Sequence, residues 1–460
     1  MSQGKSCCIF DLNLYGKGNY MSDFDMLMQK IHDKTVKIGV IGLGYVGLPL
    51  AVAFALNDIE VLGFEKDENK TKAVNTAENY IGDIKGADLS KVVLESRKLF
   101  ATNDFSRISE CAAVLICVPT PLDKFKKPDM SYIEQACIDI GKNMKSGTFV
   151  SLESTTYPTT TEGFMKPVIE RESGLQEGKG FWLCYSPERV DPGNKDYKTE
   201  NTPKVIGALG REAKQLAIEL YGLAIKHLHM VSSPRVAEMV KILENTYRLV
   251  NISLINELAL FSGKMDIDIW EVIEAAKTKP YGFQAFYPGP GIGGHCIPLD
   301  PFYLEHIARN YNFELSMIHT AGAINDRMPH RMMNKISFAL NRHKKAMNGS
   351  TILFLGIAYK SDVNDTRESP ALLVMEQVAK KGARVLYHDP YVSEVIDNHG
   401  NHYVGSELTN ELISNADCIV FTTNHSCFDA TQVIEKAKLV VDLRNVVKHI
   451  TIENGKIFKL

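Results

Sequence analysis

The chain has 460 residues, enough for two or three domains, and its 45% apolar and 23% charged content is that of an ordinary globular protein. A net charge of −3 leaves no basic field for nucleic acid or a membrane surface, and no apolar run approaches the ~18 residues of a membrane span. Nine scattered cysteines without a CxxC pair speak for a reducing cytoplasm rather than a disulfide framework or a zinc cluster.

Residues 1–34 read as an N-terminal extension with weak periodicity, no basic-then-apolar leader and no assigned function. A β-branched run, Val36–Ile41, then opens Gly42-Leu-Gly44-Tyr45-Val46-Gly47, and a helical pattern follows from Leu48 to Leu56. The next strand, Glu60–Phe64, ends at Glu65, close to the ~20-residue offset of the dinucleotide fingerprint. Gly42 allows the tight turn, Gly44 lets the pyrophosphate reach the backbone, and Gly47 permits close helix–strand packing; Tyr45 and Val46 belong to the same cofactor loop. Glu65 is expected to accept hydrogen bonds from the ribose hydroxyls, which favours NAD over NADP; Lys66 and Lys70 nearby weaken that preference, and Lys70 is counted among the cofactor groups.

Further strands are expected at Ala112–Val118, Thr148–Leu152, Phe181–Tyr185 and Lys204–Ile206. Polar clusters follow two of them, Pro119-Thr120-Pro121 and Glu153–Pro158, where strand ends of an open parallel sheet line the ligand crevice; helix capping and turn formation are the alternative. Ser233-Pro234 starts a helix that meets no Gly or Pro before Gly263, ~40 Å at 1.5 Å per residue, a connector or a dimer face. Lys241 and Asn245 lie on one side of it, with Glu238 a turn earlier, as a solvated polar face or as part of a site. Gly289–Pro301 is a rigid loop holding the Cys296 thiol four residues before Asp300; it reads as a prearranged nucleophile or as a tight loop with a buried Cys. His295 and Cys296 are too few ligands for a metal, and His295 receives no role.

More helix is expected over about 303–345, then a second α/β unit: Thr351–Leu355, a helix from Ser369-Pro370 to Gly382, Arg384–Tyr387, Cys418–Thr422 and Leu439–Asp442. Gly356-Ile-Ala-Tyr359-Lys360 stands where a GxGxxG would be. The expected fold is α/β: two doubly wound Rossmann-like domains (35–230 and 346–460) joined by a central helical domain (231–345) that carries the long connecting helix and the Cys loop, with the active site in the cleft between them.

Eight motifs occur in order: KIGVIGLGYVGLPLA, CVPTPL, ESTTYP, YSPERVDPG, AEMVKILEN, GPGIGGHCIPLDP, GIAYK and DTRESP. Together they resemble the UDP-glucose/GDP-mannose dehydrogenase family over residues 36 to about 447. The forms YSPERVDPG, TKPYGF and GIGGHCIPLDPFYL are most similar to the branch acting on UDP-N-acetylhexosamines, UDP-N-acetylglucosamine first. The resemblance implies a four-electron oxidation of the sugar C6 alcohol to a carboxylate with two NAD⁺, for surface polysaccharide biosynthesis. A Cys296 thiolate would add to the aldehyde, and the resulting thiohemiacetal would become a thioester that is hydrolysed.

By motif position, the resemblance makes Lys241 the catalytic lysine that stabilises oxyanion charge, with Asn245 on the same oxygen. Asp300 positions or activates water, Glu188 is base or water-holder in thioester hydrolysis, and Thr156 lies near nicotinamide and water. Arg189, Val190, Tyr359, Lys360 and Arg444 fall where the family contacts the UDP-sugar, as do Lys241 and Asn245; Arg367 instead reaches NAD across the cleft. A surface salt bridge is the plainer reading of each cation. Domain 346–460 becomes the UDP-sugar-binding unit, and the central domain the seat of a homodimer or higher homo-oligomer. Departures are Glu65, where many relatives have Asp, and Asp191-Pro192, where UDP-glucose enzymes carry an acidic motif. The rivals are UDP-N-acetylmannosamine, UDP-N-acetylgalactosamine or UDP-glucose as substrate, a two-electron hydroxyacid dehydrogenase with Lys241 as base and Cys296 structural, and a non-catalytic nucleotide-sugar sensor.

Overall fold

The computed structural model describes residues 21–448 and 455–460, apart from 83, 124, 125, 192, 193, 195, 295 and 398. The N-terminal unit is one sheet of β1 (Lys37–Ile41), β2 (Glu60–Phe64), β3 (Leu99–Thr102), β4 (Ala113–Ile116), β5 (Thr148–Leu152), β6 (Phe181–Tyr185), β7 (Lys204–Ala208) and β8 (Leu228–Met230), in the order β3-β2-β1-β4-β5-β6-β7-β8. All pairings are parallel except β6–β7. Helices cover both faces, so the inner strands are almost wholly buried and read as near-continuous apolar runs. Strand order reverses at β1, which opens a crevice between the C-terminal ends of β1 and β4.

The expectation that residues 1–34 stand apart from the fold needs correcting for the described part. Asp23–His32 is a helix, capped by Ser22, and it buries Leu27 and Ile31 in the core of this sheet. Its Phe24 ring meets Trp182 edge-on at 6.1 Å. Residues 1–20 lie outside the described residues.

The second sheet contains β9 (Thr351–Leu355), β10 (Arg384–His388), β13 (Cys418–Phe421), β14 (Val440–Asp442) and β15 (Ile457–Lys459), all parallel, in the order β10-β9-β13-β14-β15. A small hairpin of β11 (Glu394–Ile396) and β12 (His402–Val404) lies between β10 and β13 in the chain. Between the two sheets runs the 29-residue helix Pro234–Ser262. The helical stretch expected over about 303–345 is made of Asp300–Ala308 and Ser316–Arg342; Asn312 takes a left-handed turn (φ 53°) between them. Ser233 and Ser369 occupy N-cap positions without capping, and the Ser369 hydroxyl donates to the Ile357 carbonyl instead. No described helix is long and apolar enough to cross a membrane.

Beneath the C-terminal ends of β5 and β6 lies a buried ion pair. Lys204 Nζ is 2.6 Å from Glu153 Oε2, with side-chain exposures of 6% and 0%. The other Glu153 oxygen takes the Tyr221 and Ser151 hydroxyls. Leaving one buried charge without its partner costs about 3–5 kcal/mol, whereas replacing both costs far less. Lys204→Met is therefore expected to lower stability by that amount in urea unfolding, and the pair Lys204→Met/Glu153→Leu to recover most of it.

Candidate active site

The glycine turn is built as its sequence suggests. Gly42 has φ 89°, and a Cβ there would stand 2.7 Å from the Cys117 carbonyl oxygen; a Cβ on Gly47 would overlap the Gly42 carbonyl. Around Gly44 a Cβ would meet nothing within 4 Å, which leaves space for a pyrophosphate above the N-terminus of the Gly47–Leu56 helix. Val46 is the N-cap of that helix and Tyr45 is exposed. Glu65 Oε2 accepts the Leu43 N–H at 3.1 Å, and Oε1 accepts the Lys66 and Asp67 N–H groups, so the acid braces the loop from beside it. The Lys70 N–H sits over Asp67 in the first turn of the next helix.

Next round the crevice, Thr120 is buried after Pro119, and its carbonyl accepts from the Tyr303 hydroxyl. The Thr156 hydroxyl lies 2.7 Å from that of Thr160. Glu188 Oε1 accepts the Arg189 and Val190 N–H groups, at 2.8 and 2.7 Å, which folds the Ser186–Val190 turn around its carboxylate. The Arg189 guanidinium is held by Glu244 (2.6 Å) and the Pro203 carbonyl.

Lys241 and Asn245 share the inner face of the long helix and are buried, so the solvated polar face does not hold. Asn245 Nδ2 donates to Asp300 Oδ2 at 2.5 Å, and the Asp300 N–H donates to the Cys296 carbonyl at 2.9 Å. The amide of Asn245 is thus aimed at the carboxylate, where substrate oxygen was expected. Burial pushes Asp300 up to about 7 against the pull of the Lys241 ammonium and the Asn245 amide. Burial, and then the Asp300 charge, push the Cys296 thiol up; Lys241, Arg367 and Arg248 draw it back. His295 lies outside the described residues.

The second unit forms the opposite wall. A Cβ on Gly293 or Gly294 would come within 2.8 Å of the Tyr359 side chain, and Gly293 also abuts the Glu368 carbonyl and Pro370. The Gly294 N–H donates to the Arg367 carbonyl. Arg367 chelates Asp365 and places its guanidinium 4.4 Å over the Tyr45 ring, joining this wall to the glycine loop. Lys360 Nζ bridges to Asp191 at 2.8 Å; Pro192 lies outside the described residues. Arg444 is packed against Gly289, and burial draws its guanidinium down to about 10. One loop thus meets Lys241, Asn245 and Asp300 on one side and Tyr359, Arg367 and Arg444 on the other. Thr156 and Glu188 stand on the ends of β5 and β6. Sequence reasoning missed Glu244 and the ion pair of Glu153 and Lys204; AEMVKILEN does hold a second acid, at the spacing of Lys241, which is the one signal for Glu244.

The glycine turn, the acid that braces it and a part-buried thiol within the field of a buried lysine are the parts of a dinucleotide-dependent dehydrogenase. The NAD-binding, central and UDP-binding domains of the UDP-glucose/GDP-mannose dehydrogenase family match residues 36–225, 235–327 and 353–449. The UDP-N-acetyl-D-mannosamine dehydrogenase of Pyrococcus horikoshii is 35% identical over 418 residues, 90% of this chain and 96% of that one. The UDP-N-acetyl-D-glucosamine 6-dehydrogenase of Pseudomonas aeruginosa is 35% identical over 361 residues, 78% of this chain and 84% of that one. The solved UDP-D-ManNAc dehydrogenase from Pyrococcus horikoshii superposes with a TM-score of 0.84 at 32% identity, covering 92% of this chain and 99% of the other. This chain belongs to the UDP-glucose/GDP-mannose dehydrogenase family, and is an NAD-dependent oxidoreductase of nucleotide sugars.

Proposed function

We propose that the chain oxidises the C6 alcohol of a UDP-N-acetylhexosamine, UDP-N-acetylglucosamine first, to the uronic acid through a Cys296 thiohemiacetal and thioester. The observation that carries this is the joining of Cys296 to Asp300, whose carboxylate is bonded to Asn245, within the field of the buried Lys241 ammonium one turn from Asn245 on the same helix. NAD, held by Gly42, Gly44, Gly47 and Glu65, supplies the hydride acceptor. The Lys241 ammonium stabilises the oxyanion at C6 and favours the Cys296 thiolate. Asp300, poised near neutrality, takes the proton of the attacking water, and Asn245 fixes its carboxylate. Glu188 and Thr156 hold that water on the nicotinamide side. Arg444 and Lys360 supply cations for the diphosphate. Burial of Arg444 with no carboxylate paired to its guanidinium among the described residues supports that role, because an anion would offset its desolvation.

UDP-N-acetylmannosamine is the second reading, favoured by the full-length likeness to the Pyrococcus enzyme. The test is NADH formation with UDP-GlcNAc, UDP-ManNAc, UDP-GalNAc and UDP-glucose, and with NADP in a parallel arm. Two NADH per UDP-GlcNAc are expected. One per sugar sinks the thioester route, and turnover of UDP-glucose alone sinks the N-acetylhexosamine reading.

We place the enzyme in the cytoplasm, serving surface polysaccharide synthesis; that all seven described cysteines are free thiols supports the location. We also propose a homodimer. Val236, Met239, Leu243, Tyr247, Leu254 and Phe261 are exposed at 40–58% along the long helix, at spacings that keep them on one face. Lys241 and Asn245 occupy the opposite face. Leu243→Asp is expected to convert a dimer into a monomer in light scattering; a wild-type monomer at micromolar concentration sinks the assignment.

A further inference from the structure

Glu238 is fully buried one turn before Lys241, and its charge is spent on another segment of the chain. Oε2 accepts the Thr159 N–H at 2.6 Å; Oε1 accepts the Thr161 N–H at 2.9 Å and its hydroxyl at 2.7 Å. The nearby cation Arg235 is bound to Glu162 instead. Thr159 has φ 87°, a left-handed conformation that β-branched residues avoid and glycine adopts freely. The turn it makes is a knot of hydroxyls: Thr156 bonds Thr160, and Thr160 bonds the Tyr157 carbonyl. Thr156 therefore points where the reversal at Thr159 lets it, and that reversal is held from the helix that carries Lys241.

We propose that Glu238 is a positioning residue. Its carboxylate holds the strained turn at Thr159, so that Thr156 on the nicotinamide side is registered against Lys241 on the sugar side. This rests on the roles proposed for Thr156 and Lys241, but not on the thioester or on the identity of the sugar. A glycine at 159 would need no such hold, which makes the idea open to rescue.

The experiment measures single-turnover hydride transfer, from NADH absorbance with whichever UDP-sugar the wild type oxidises, beside amide exchange at Thr159 and Thr161. Glu238→Gln presents a donor where an N–H must be accepted. It is expected to speed exchange at those amides and to slow hydride transfer by about 10–100-fold, with KM for the UDP-sugar within about twofold. Glu238→Asp, which is too short to serve both amides, should fall between. Thr159→Gly alone should match the wild type, and Glu238→Gln/Thr159→Gly should regain most of the lost rate. Freed amides with an unchanged rate overturn the proposal, and so does a lost rate that Thr159→Gly fails to restore. One NADH per sugar in the wild type would sink the thioester reading and leave this proposal untouched.

Discussion

Cys296→Ser is expected to abolish formation of the uronic acid, by at least ~10³-fold, while UDP-sugar binding persists. A serine hydroxyl in this pocket has the shape of the thiol but an acidity too weak for any part of it to ionise near neutrality. The first hydride transfer needs no covalent bond, so the variant should release the sugar aldehyde, trapped by a hydroxylamine and seen by mass spectrometry. Calorimetric titration of the UDP-sugar checks that the pocket still forms. Acid formed at the wild-type rate would show that the second oxidation passes through the hydrated aldehyde and that the thiol is structural.

The second large effect belongs to Lys241. Loss of one preorganised oxyanion donor costs about 10²–10³-fold in kcat, and Lys241→Met is expected to lie in that range. Its ammonium also steers two neighbouring acids. It lowers the Asp300 carboxyl, which stands at about 7, and draws down the Cys296 thiol. An acid of raised pKa is protonated below that value, so wild-type kcat should fall as pH drops through about 7. In Lys241→Met the same limb should move to higher pH, because the ionised form has lost its counter-charge. Alkylation of Cys296 by iodoacetamide should likewise need a more basic solution. A pH profile unmoved by Lys241→Met would separate this lysine from Asp300.

What the sequence made legible followed burial. β2, β5, β6 and β9 match the expected runs residue for residue, because parallel strands covered on both faces are predominantly apolar. β3 was missed because it lies at the sheet edge, with Phe100 49% exposed between buried neighbours. The break at Asn312 had no glycine or proline to announce it, only one residue tolerant of a left-handed turn. In the site, residue types at fixed spacing were readable, since a helix sets Lys241 and Asn245 on one side by its own geometry. Partner choice was not. Arg189 meets Glu244, and Glu238 meets Thr159, across 55 and 79 positions, through folding that no local pattern encodes.

The wall that Tyr359, Glu368 and Pro370 set against Gly293 and Gly294 has a consequence for engineering. Grafting residues 346–460 from another dehydrogenase, to exchange one nucleotide handle for another, would also import a foreign mould for the thiol loop. A working chimaera must therefore keep the surface made by Tyr359 and Glu368–Pro370, and vary the nucleotide contacts elsewhere.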